Sequence, residues 1–287
     1  IAVKFANCCT FIYLNCSTNL VAGIHGMKRH TIGKEVITLG ESKMPHIRLP
    51  ENLGIRYAVL PGDPARAERA AGYLKDAKLL AFNREYKSYS GLWNGVPVLV
   101  MSTGMGGPSM AIAVEELRKT GVEAAVRIGS CGALQPEAGV GDLVMVEAAV
   151  RDEGTSIGYA PLSYPAIADH RLLTACEESA KEAGYRFHTG IARSHDCLYR
   201  DDNPSIYADW AKKGVLASDM ETAALFVVGR IRGMKTASIL NVVAACKSNV
   251  AENIGRYADG EALTAQGEEH EILTAFEALT KLENKTI

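Results

Sequence analysis

This sequence lacks an excess of charge of either sign, and that limits its partners. Across 287 residues, 31 lysines and arginines are balanced by 33 aspartates and glutamates, for a formal net charge of −2. Because no strongly basic stripe appears, nucleic acid is not expected as a partner. A site for a small anion needs only a few arginines, and the near-neutral balance permits one.

The seven cysteines lack the spacing of a structural metal site. They include no C-x-x-C pair and no histidines at ligand-like spacing, and their number is odd. The sequence therefore indicates a reduced, cytoplasmic protein without a bound metal. G-x-G-x-x-G and Walker motifs are also missing, so no nucleotide cofactor is expected.

Residues 1–26 differ in character from the rest of the chain. They hold three of the seven cysteines, and asparagines interrupt their apolar stretches. They are too polar for a membrane-spanning helix, and no clean cleavage site supports a signal peptide. We interpret them as an extension outside the fold that precedes Met27, and residues 27–287 as one domain. No membrane association is expected.

Short apolar runs alternate with helical patterns after Met27. The runs end in turn residues, which is typical of buried strands, and the helices are amphipathic. The predicted strands cover 55–62, 96–104, 123–130, 141–150, 187–194 and 235–245, and the predicted helices cover 108–121, 165–184, 220–232 and 268–283. This alternation indicates a mixed α/β domain with a largely parallel sheet, in which ligands bind where strands end.

Two strand ends carry arginine beside glycine. In "LPGDPAR", Gly62 ends a strand and Arg66 follows one turn later, while in "VRIGSCG", Arg127 lies inside an apolar strand that ends at Ser130. A glycine amide and guanidinium groups suit a bound oxyanion. The alternatives are a plain turn with a solvated Arg66, and an Arg127 that pairs with a core carboxylate such as Glu221.

Three further stretches are ambiguous when taken locally. "NREYKSYSG" (83–91) indicates a solvated hairpin, and "STGMGGPS" (102–109) indicates a tight turn with close packing. In "SDMETAALF", Asp219 and Glu221 flank Met220 where a strand becomes a helix. The two acids can favour the helix dipole, or a buried carboxylate there can accept hydrogen bonds from a sugar diol.

Several long motifs follow one another from about His46 to the C-terminus. They read "PGDPAR", "STGMGGPSMAIAVEELRKTG", "RIGSCGALQP", "GDLVMVEAAVRDEGTS", "YAPLSYPAIAD" and "SDMETAALF". In this order they resemble the hexameric purine and uridine phosphorylases, with the uridine branch the most similar. The resemblance implies a three-layer α/β sandwich around a mixed, largely parallel sheet that forms a distorted barrel. It also implies a pentosyltransferase that splits a nucleoside with inorganic phosphate into free base and (deoxy)ribose 1-phosphate.

The same resemblance assigns roles to individual residues. It implies that Arg66, Arg127 and Glu221 are central to catalysis, and that phosphate is the nucleophile, so that no Ser–His or Cys–His pair is needed. The residues implied in ligand binding are Gly62, Arg66, Arg84, Arg127 and Ser130 for phosphate; Glu221, Met220 and His46 for ribose; and Glu85 and Ser109 for a monovalent cation such as potassium. Because Arg84 and His46 serve the site of a neighbouring subunit in the family, a homo-oligomer is expected, at least a dimer and by family habit a hexamer.

The base half of the expected site departs from both branches. After "SHDCLYRDD" (194–202) the Gln-x-Arg pair of uridine phosphorylases is missing, and Leu198 stands where the family often has a stacking Phe. Arg200 is a candidate donor to the base, and Ala244 stands at about the place of the acid that protonates a purine. Uridine or a related pyrimidine nucleoside is the expected substrate. The alternatives are a purine nucleoside phosphorylase with a rebuilt base pocket and a non-catalytic nucleoside-binding relative.

Overall fold

The computed structural model describes residues 42–246, 248, 255 and 262–284. They belong to the compact unit Gly40–Ile287. The predicted extension of residues 1–26 and its boundary at Met27 lie outside the described residues and stay predictions. Among the described helices, none combines the length and the apolar composition that crossing a bilayer requires.

The described part of the chain forms strands and helices in alternation. The strands are β1 Tyr57–Pro61, β2 Lys75–Asn83, β3 Tyr86–Trp93, β4 Val96–Met101, β5 Ala124–Ala133, β6 Leu143–Asp152, β7 Phe187–His195, β8 Ala217–Asp219 and β9 Lys235–Ala244. The helices are α1 Pro64–Ala71, α2 Gly107–Lys119, α3 Gly154–Tyr159, α4 His170–Ala183, α5 Asn203–Ala211, α6 Thr222–Ile231 and α7 Ala262–Asn284. Each predicted strand and helix is present, whereas α3, α5 and most of β2 have no counterpart among the predictions.

All nine strands join one sheet in the order β2-β3-β4-β1-β5-β8-β7-β6-β9, and β9 also pairs with β5. This last pairing closes β5 to β9 into a barrel. The parallel pairs are β1–β4, β1–β5, β5–β9, β6–β7 and β7–β8, and the other four pairs are antiparallel. The helices lie around the sheet, with α2 against α6 and α4 against α7. The predicted mixed, largely parallel sheet with a distorted barrel is confirmed.

Helix caps set the first residues of α1 and α4. Asp63 accepts hydrogen bonds from the amides of Ala65 and Arg66, so α1 begins immediately after β1 and holds Arg66 in its first turn. Similarly, Asp169 caps α4, which begins at His170 and not at the predicted residue 165. Such side chains accept hydrogen bonds from the otherwise unpaired amides of the first turn. Hydrophobic periodicity does not detect these caps, so it misplaces the first residue of a helix.

The hairpin predicted for residues 83–91 is longer than its polar run. β2 and β3 pair antiparallel, with Asn83 opposite Tyr86, so Arg84 and Glu85 form the turn between them. Among the described strands, β2 is at the edge of the sheet and is paired only with β3. The hairpin therefore carries Arg84 at the margin of the molecule, while β3 continues into the sheet.

Candidate functional site

Strand ends and helix starts surround one open cavity of about 1900 Å³. This cavity brings together nearly all of the site residues that the sequence predicts. Those that line it are Gly62, Arg66, Glu85, Ser109, Arg127, Ser130, Leu198, Arg200, Met220 and Glu221. His46 and Arg84 do not line it within the single chain.

Arg66 is the first of two buried cations at the cavity. Its side chain is only 4% exposed, so the alternative of a solvated arginine after a plain turn is wrong. Its Nη1 donates to the carbonyl of Ile128 on β5 at 3.3 Å, and its Nε donates to Glu268 at 3.2 Å. Nη1 also lies 3.4 Å from Glu271. Both glutamates belong to α7, so the last helix fixes the guanidinium against the sheet.

Arg127 is the second buried cation and projects from β5. Its Nε donates to Asp219 at 3.2 Å and its Nη2 donates to Glu221 at 2.5 Å, as the alternative of a core ion pair predicts. The same side chain lines the cavity, so pairing and a place at the site occur together. Its third nitrogen, Nη1, is buried and has no hydrogen-bond partner among the described residues. An unsatisfied buried donor is costly, and an anion in the cavity would satisfy it.

Glu221 joins Arg127 to the glycine-rich loop before α2. Its Oε1 accepts from the backbone amide of Gly106 at 2.5 Å while Oε2 accepts from Arg127. Gly106 has a φ of +89°, a conformation that residues with side chains rarely adopt, so this approach of the amide depends on glycine. Burial raises the pKa of the Glu221 carboxyl, and Arg127 opposes that rise. The loop predicted as a tight turn therefore also borders the cavity.

Asp219 accepts hydrogen bonds from residues of three elements at the start of α6. One carboxylate oxygen accepts from Ser194 Oγ at 2.6 Å. The other accepts from Arg127 and from both the amide and the hydroxyl of Thr222, at 3.0 and 2.6 Å. These bonds start α6 at Thr222 and hold β7, β5 and α6 together. Both acids of "SDMETAALF" line the cavity, but they differ in their bonds: Asp219 ties three elements together, whereas Glu221 contacts only Arg127 and the loop before α2.

One side of the cavity, where the family resemblance places the base, is bordered by β7 and α5. His195 ends β7, is 3% exposed, and has a ring centroid 6.1 Å from that of Tyr207 on α5. Burial and then the charge of Arg193 lower the pKa of His195, so the ring is neutral at pH 7. Arg200 is held by Asp202 through two hydrogen bonds of 2.8 and 2.7 Å. To donate to a base, Arg200 would have to leave Asp202. Its role in base binding stays a prediction.

His46 and Arg84 lie together on a surface outside the cavity. The backbone carbonyl of His46 accepts from Asn83 Nδ2 at 2.7 Å, which places the histidine beside the β2–β3 turn. The ring Nδ1 is 2.6 Å from the buried carboxylate of Glu116, so Nε2 remains for another partner. Arg84 is exposed, with a φ of +56°, and has no hydrogen bond or ion pair with other described residues. Neither side chain serves the cavity of its own chain.

The predicted cation ligands are neighbours at the edge of the cavity. Ser109 Oγ donates to Glu85 Oε1 at 3.0 Å and also contacts the carbonyl oxygen of Thr103. A carboxylate, a hydroxyl and a carbonyl are oxygen donors, which suit a hard cation. Clusters of three or more His, Cys, Asp or Glu that could hold a metal are missing from the described residues.

Two site residues escape sequence reasoning altogether. Glu268 and Glu271 lie in "EEHEILTAF", which indicates an amphipathic helix with its acids in solvent. The structure instead buries both, at 7% and 0% exposure, against Arg66. The only available signal is that the two acids are three residues apart, and hence on one helical face, beside the apolar Ile272.

The chain is similar to known proteins over most of its length. The model of the phosphorylase superfamily matches residues 56–276. The chain belongs to this superfamily. The predicted family, and with it the predicted enzyme class of pentosyltransferases, is confirmed.

Individual relatives point to two kinds of base. The chain is 36% identical over 249 residues to a uridine phosphorylase from Thermococcus kodakarensis, covering 83% of this chain and 89% of the relative. It is 39% identical over 201 residues to a guanosine phosphorylase from Halorubrum lacusprofundi, covering 70% and 83%. The crystal structure of uridine phosphorylase from Vibrio fischeri ES114 matches with a TM-score of 0.78 and 39% identity, covering 85% of this chain and 99% of that one.

Proposed function

We propose that this member of the phosphorylase superfamily cleaves nucleosides with inorganic phosphate, giving a free base and (deoxy)ribose 1-phosphate. The observation that carries the proposal is the pair of buried guanidinium groups, Arg66 and Arg127, at one cavity with the Ser130 hydroxyl and the Gly62 backbone. Buried cations at a cavity form a site for a small polyanion. Glu221 borders the same cavity and supplies an acceptor for a sugar diol.

The chemistry follows from these positions. Phosphate held by Arg66, Arg127 and Ser130 attacks the anomeric carbon as the bond to the base breaks, and the electron pair of that bond leaves with the base. Glu221 orients the ribose hydroxyls and Met220 packs against the sugar. Because the nucleophile is already an anion, catalysis depends on positioning and on electrostatic stabilisation of a cationic sugar.

The preferred base is uracil or a related pyrimidine. The similarity to the Thermococcus and Vibrio uridine phosphorylases supports this assignment. Guanine is a second candidate, since a guanosine phosphorylase matches at 39% identity and the base side is lined by the small residues Ala244 and Ala245. Both residues leave room for a larger base.

A substrate panel tests the proposed function and the base together. Uridine, thymidine, inosine, guanosine and adenosine are incubated with the protein, with and without phosphate, and the free base is measured. We expect phosphate-dependent release that is fastest with uridine. Release from guanosine alone would assign the purine base. No release from any nucleoside, together with calorimetric binding of nucleosides that does not depend on phosphate, would favour the non-catalytic alternative.

The complete site needs a second subunit. Arg84 and His46 lie outside the cavity of their own chain, on a surface beside Phe82, which is 61% exposed. An exposed aromatic side chain beside the edge of a sheet suits burial against another copy. We assign Arg84 to the phosphate and His46 to the ribose of a neighbouring subunit, in a homodimer at least and a hexamer by family habit. Sedimentation measures the subunit count, and a monomer with full activity would contradict the assignment.

Two further assignments concern the surroundings of the enzyme. Glu85 and Ser109 are proposed to hold a potassium ion, which phosphorolysis rates measured with and without potassium would test. A cytoplasmic location is proposed because all four cysteines in the described part of the chain are free thiols.

A further inference from the structure

His46 lies in a turn before β1 that is packed against the rest of the chain. Met44, Ile47 and Leu49 of this turn are buried, whereas the side chain of His46 is 40% exposed. The backbone carbonyl of His46 also accepts from Asn83 Nδ2 at 2.7 Å. The turn is therefore fixed by apolar and polar contacts, and it presents one imidazole ring at the surface.

A single carboxylate, that of Glu116 on α2, contacts three groups of this turn. Its Oε2 accepts from the backbone amides of His46 and Ile47 at 3.0 and 2.9 Å. Its Oε1 lies 2.6 Å from Nδ1 of the His46 ring. Because the Glu116 side chain is only 8% exposed, these hydrogen bonds lie away from bulk water, where they are stronger.

This contact determines which nitrogen of the His46 ring carries the hydrogen. A carboxylate only accepts, so the ring nitrogen that faces Glu116 is the donor. Nδ1 therefore carries the hydrogen, and in the neutral ring Nε2 is the acceptor. None of the hydrogen bonds of His46 to other described residues uses Nε2. The ring thus presents an acceptor to a group from outside the chain.

We propose that Glu116 is a positioning residue that fixes this tautomer, so that Nε2 of His46 accepts a hydrogen bond from the 5′-hydroxyl of a nucleoside in the neighbouring subunit. The favoured substrates are then nucleosides whose 5′ group is a hydrogen-bond donor. The inference rests on the proposed function, which assigns His46 to the ribose of a neighbouring subunit. The alternative is that Glu116 only anchors the turn, since two of its three contacts are with backbone amides.

The variant E116Q separates anchoring from control of the tautomer. A glutamine with its carbonyl oxygen in place of Oε2 keeps the hydrogen bonds from the amides of His46 and Ile47. The reverse orientation would set its NH2 group against those two donors, which is costly. In the favoured orientation the NH2 group faces Nδ1, which becomes the acceptor, so Nε2 carries the hydrogen. E116Q therefore keeps the turn and converts Nε2 from an acceptor into a donor.

The first experiment compares kcat/KM for 5′-amino-5′-deoxyuridine and 5′-deoxyuridine, or for the matching guanosine pair if guanosine is the better substrate. At pH 7 the 5′-amino group is an ammonium ion, which donates and cannot accept. We expect the wild type to favour the amino compound at least about tenfold, and E116Q to lose this preference. The control is E115Q, which removes the adjacent acid that pairs with Arg232 at 2.7 Å, and should follow the wild type. An unchanged preference in folded E116Q would overturn the inference.

The same pair of substrates in H46A, with and without E116Q, tests whether Glu116 acts through the ring. Removing a negative charge can by itself disfavour an ammonium ion. We expect E116Q to change the preference where His46 is present and to leave it within about twofold where the ring is absent. An equal change in both backgrounds would overturn the inference, because the charge of Glu116 would then account for it.

The second experiment uses the wild type and needs no turnover. Long-range proton–nitrogen NMR spectra of protein with isotope-labelled histidine, at about pH 8.5 where imidazole rings are ordinarily neutral, distinguish the two tautomers. H46A identifies the signals of His46, and we expect the Nδ1–H form. The Nε2–H form would overturn this inference and leave the proposed function standing. The Nδ1–H form without turnover of any nucleoside would instead overturn the proposed function, and with it the role of the tautomer in substrate choice.

Discussion

Truncating Asp219 and Glu221, the two acids that precede α6, one at a time should separate an effect on folding from an effect on function. In D219A the carboxylate that accepts from Ser194, Thr222 and Arg127 is removed from a buried position. In E221A the lost acceptor borders the cavity, and Arg127 keeps its bond to Asp219. The structure therefore predicts a large loss of stability for the first variant and a large loss of activity for the second.

The magnitudes follow from what each truncation leaves unpaired. Removing one partner from a buried ion pair costs about 3–5 kcal/mol, and D219A also leaves the backbone amide of Thr222 without its hydrogen-bond acceptor. Glu221 accepts only from Arg127 and the Gly106 amide, and Arg127 keeps its bond to Asp219, so for E221A we expect a smaller loss of about 1–2 kcal/mol. For a domain of this size these losses lower Tm by about 10–15 °C and about 3–6 °C. Two charged hydrogen bonds to a sugar diol amount to about 3–6 kcal/mol, so kcat/KM of E221A should fall at least about a hundredfold.

The assay combines thermal unfolding at one fixed protein concentration with steady-state phosphorolysis. Fixing the concentration matters because an oligomer gains apparent stability from association. The reasoning is refuted if D219A melts within about 2 °C of the wild type, or if E221A loses as much stability as D219A. Wild-type kcat/KM in E221A would refute the assignment of Glu221 to the sugar.

Three other predictions concern single side chains. R84A should raise phosphate KM about tenfold or more without changing the unfolding curve, while R171A, an exposed arginine on α4, should alter neither. Because folding raises the pKa of Glu271 from 4.5 to about 8, the native state holds a proton that the unfolded chain has lost, so stability should fall by about 1.4 kcal/mol per pH unit across this window. Urea titrations at several pH values should show this slope reduced in E271Q. L198F should lower the uridine KM about two- to tenfold if an aromatic ring there stacks on the base, and an unchanged KM would remove residue 198 from the base pocket.

The sequence identifies Arg66, Arg127 and Glu221 as candidate site residues, but it does not identify the acids of α7 that contact Arg66. Arg127 and Glu221 each carry a local signal, namely a charge inside an apolar strand and an acid where a strand becomes a helix. Glu268 and Glu271 carry only their spacing of three residues, because α7 buries these acids where it meets Arg66 of α1, about 200 residues earlier in the chain. Hydrophobic periodicity ranks a helical face by its apolar residues, so it cannot detect a buried face that contains acids.

Arg66 and Arg127 are held in the same way, each by two acidic side chains. In each, one acid accepts from Nε and a second acid lies against a terminal nitrogen: Glu268 and Glu271 for Arg66, Asp219 and Glu221 for Arg127. A bond at Nε fixes the plane of the guanidinium, which is what bidentate binding of an oxyanion requires. Of the acids at the terminal nitrogens, Glu221 lines the cavity, whereas Glu271 is fully buried and does not line it. The acid at Nε therefore positions each cation, and only Glu221 lies where a ligand of its arginine would compete with it.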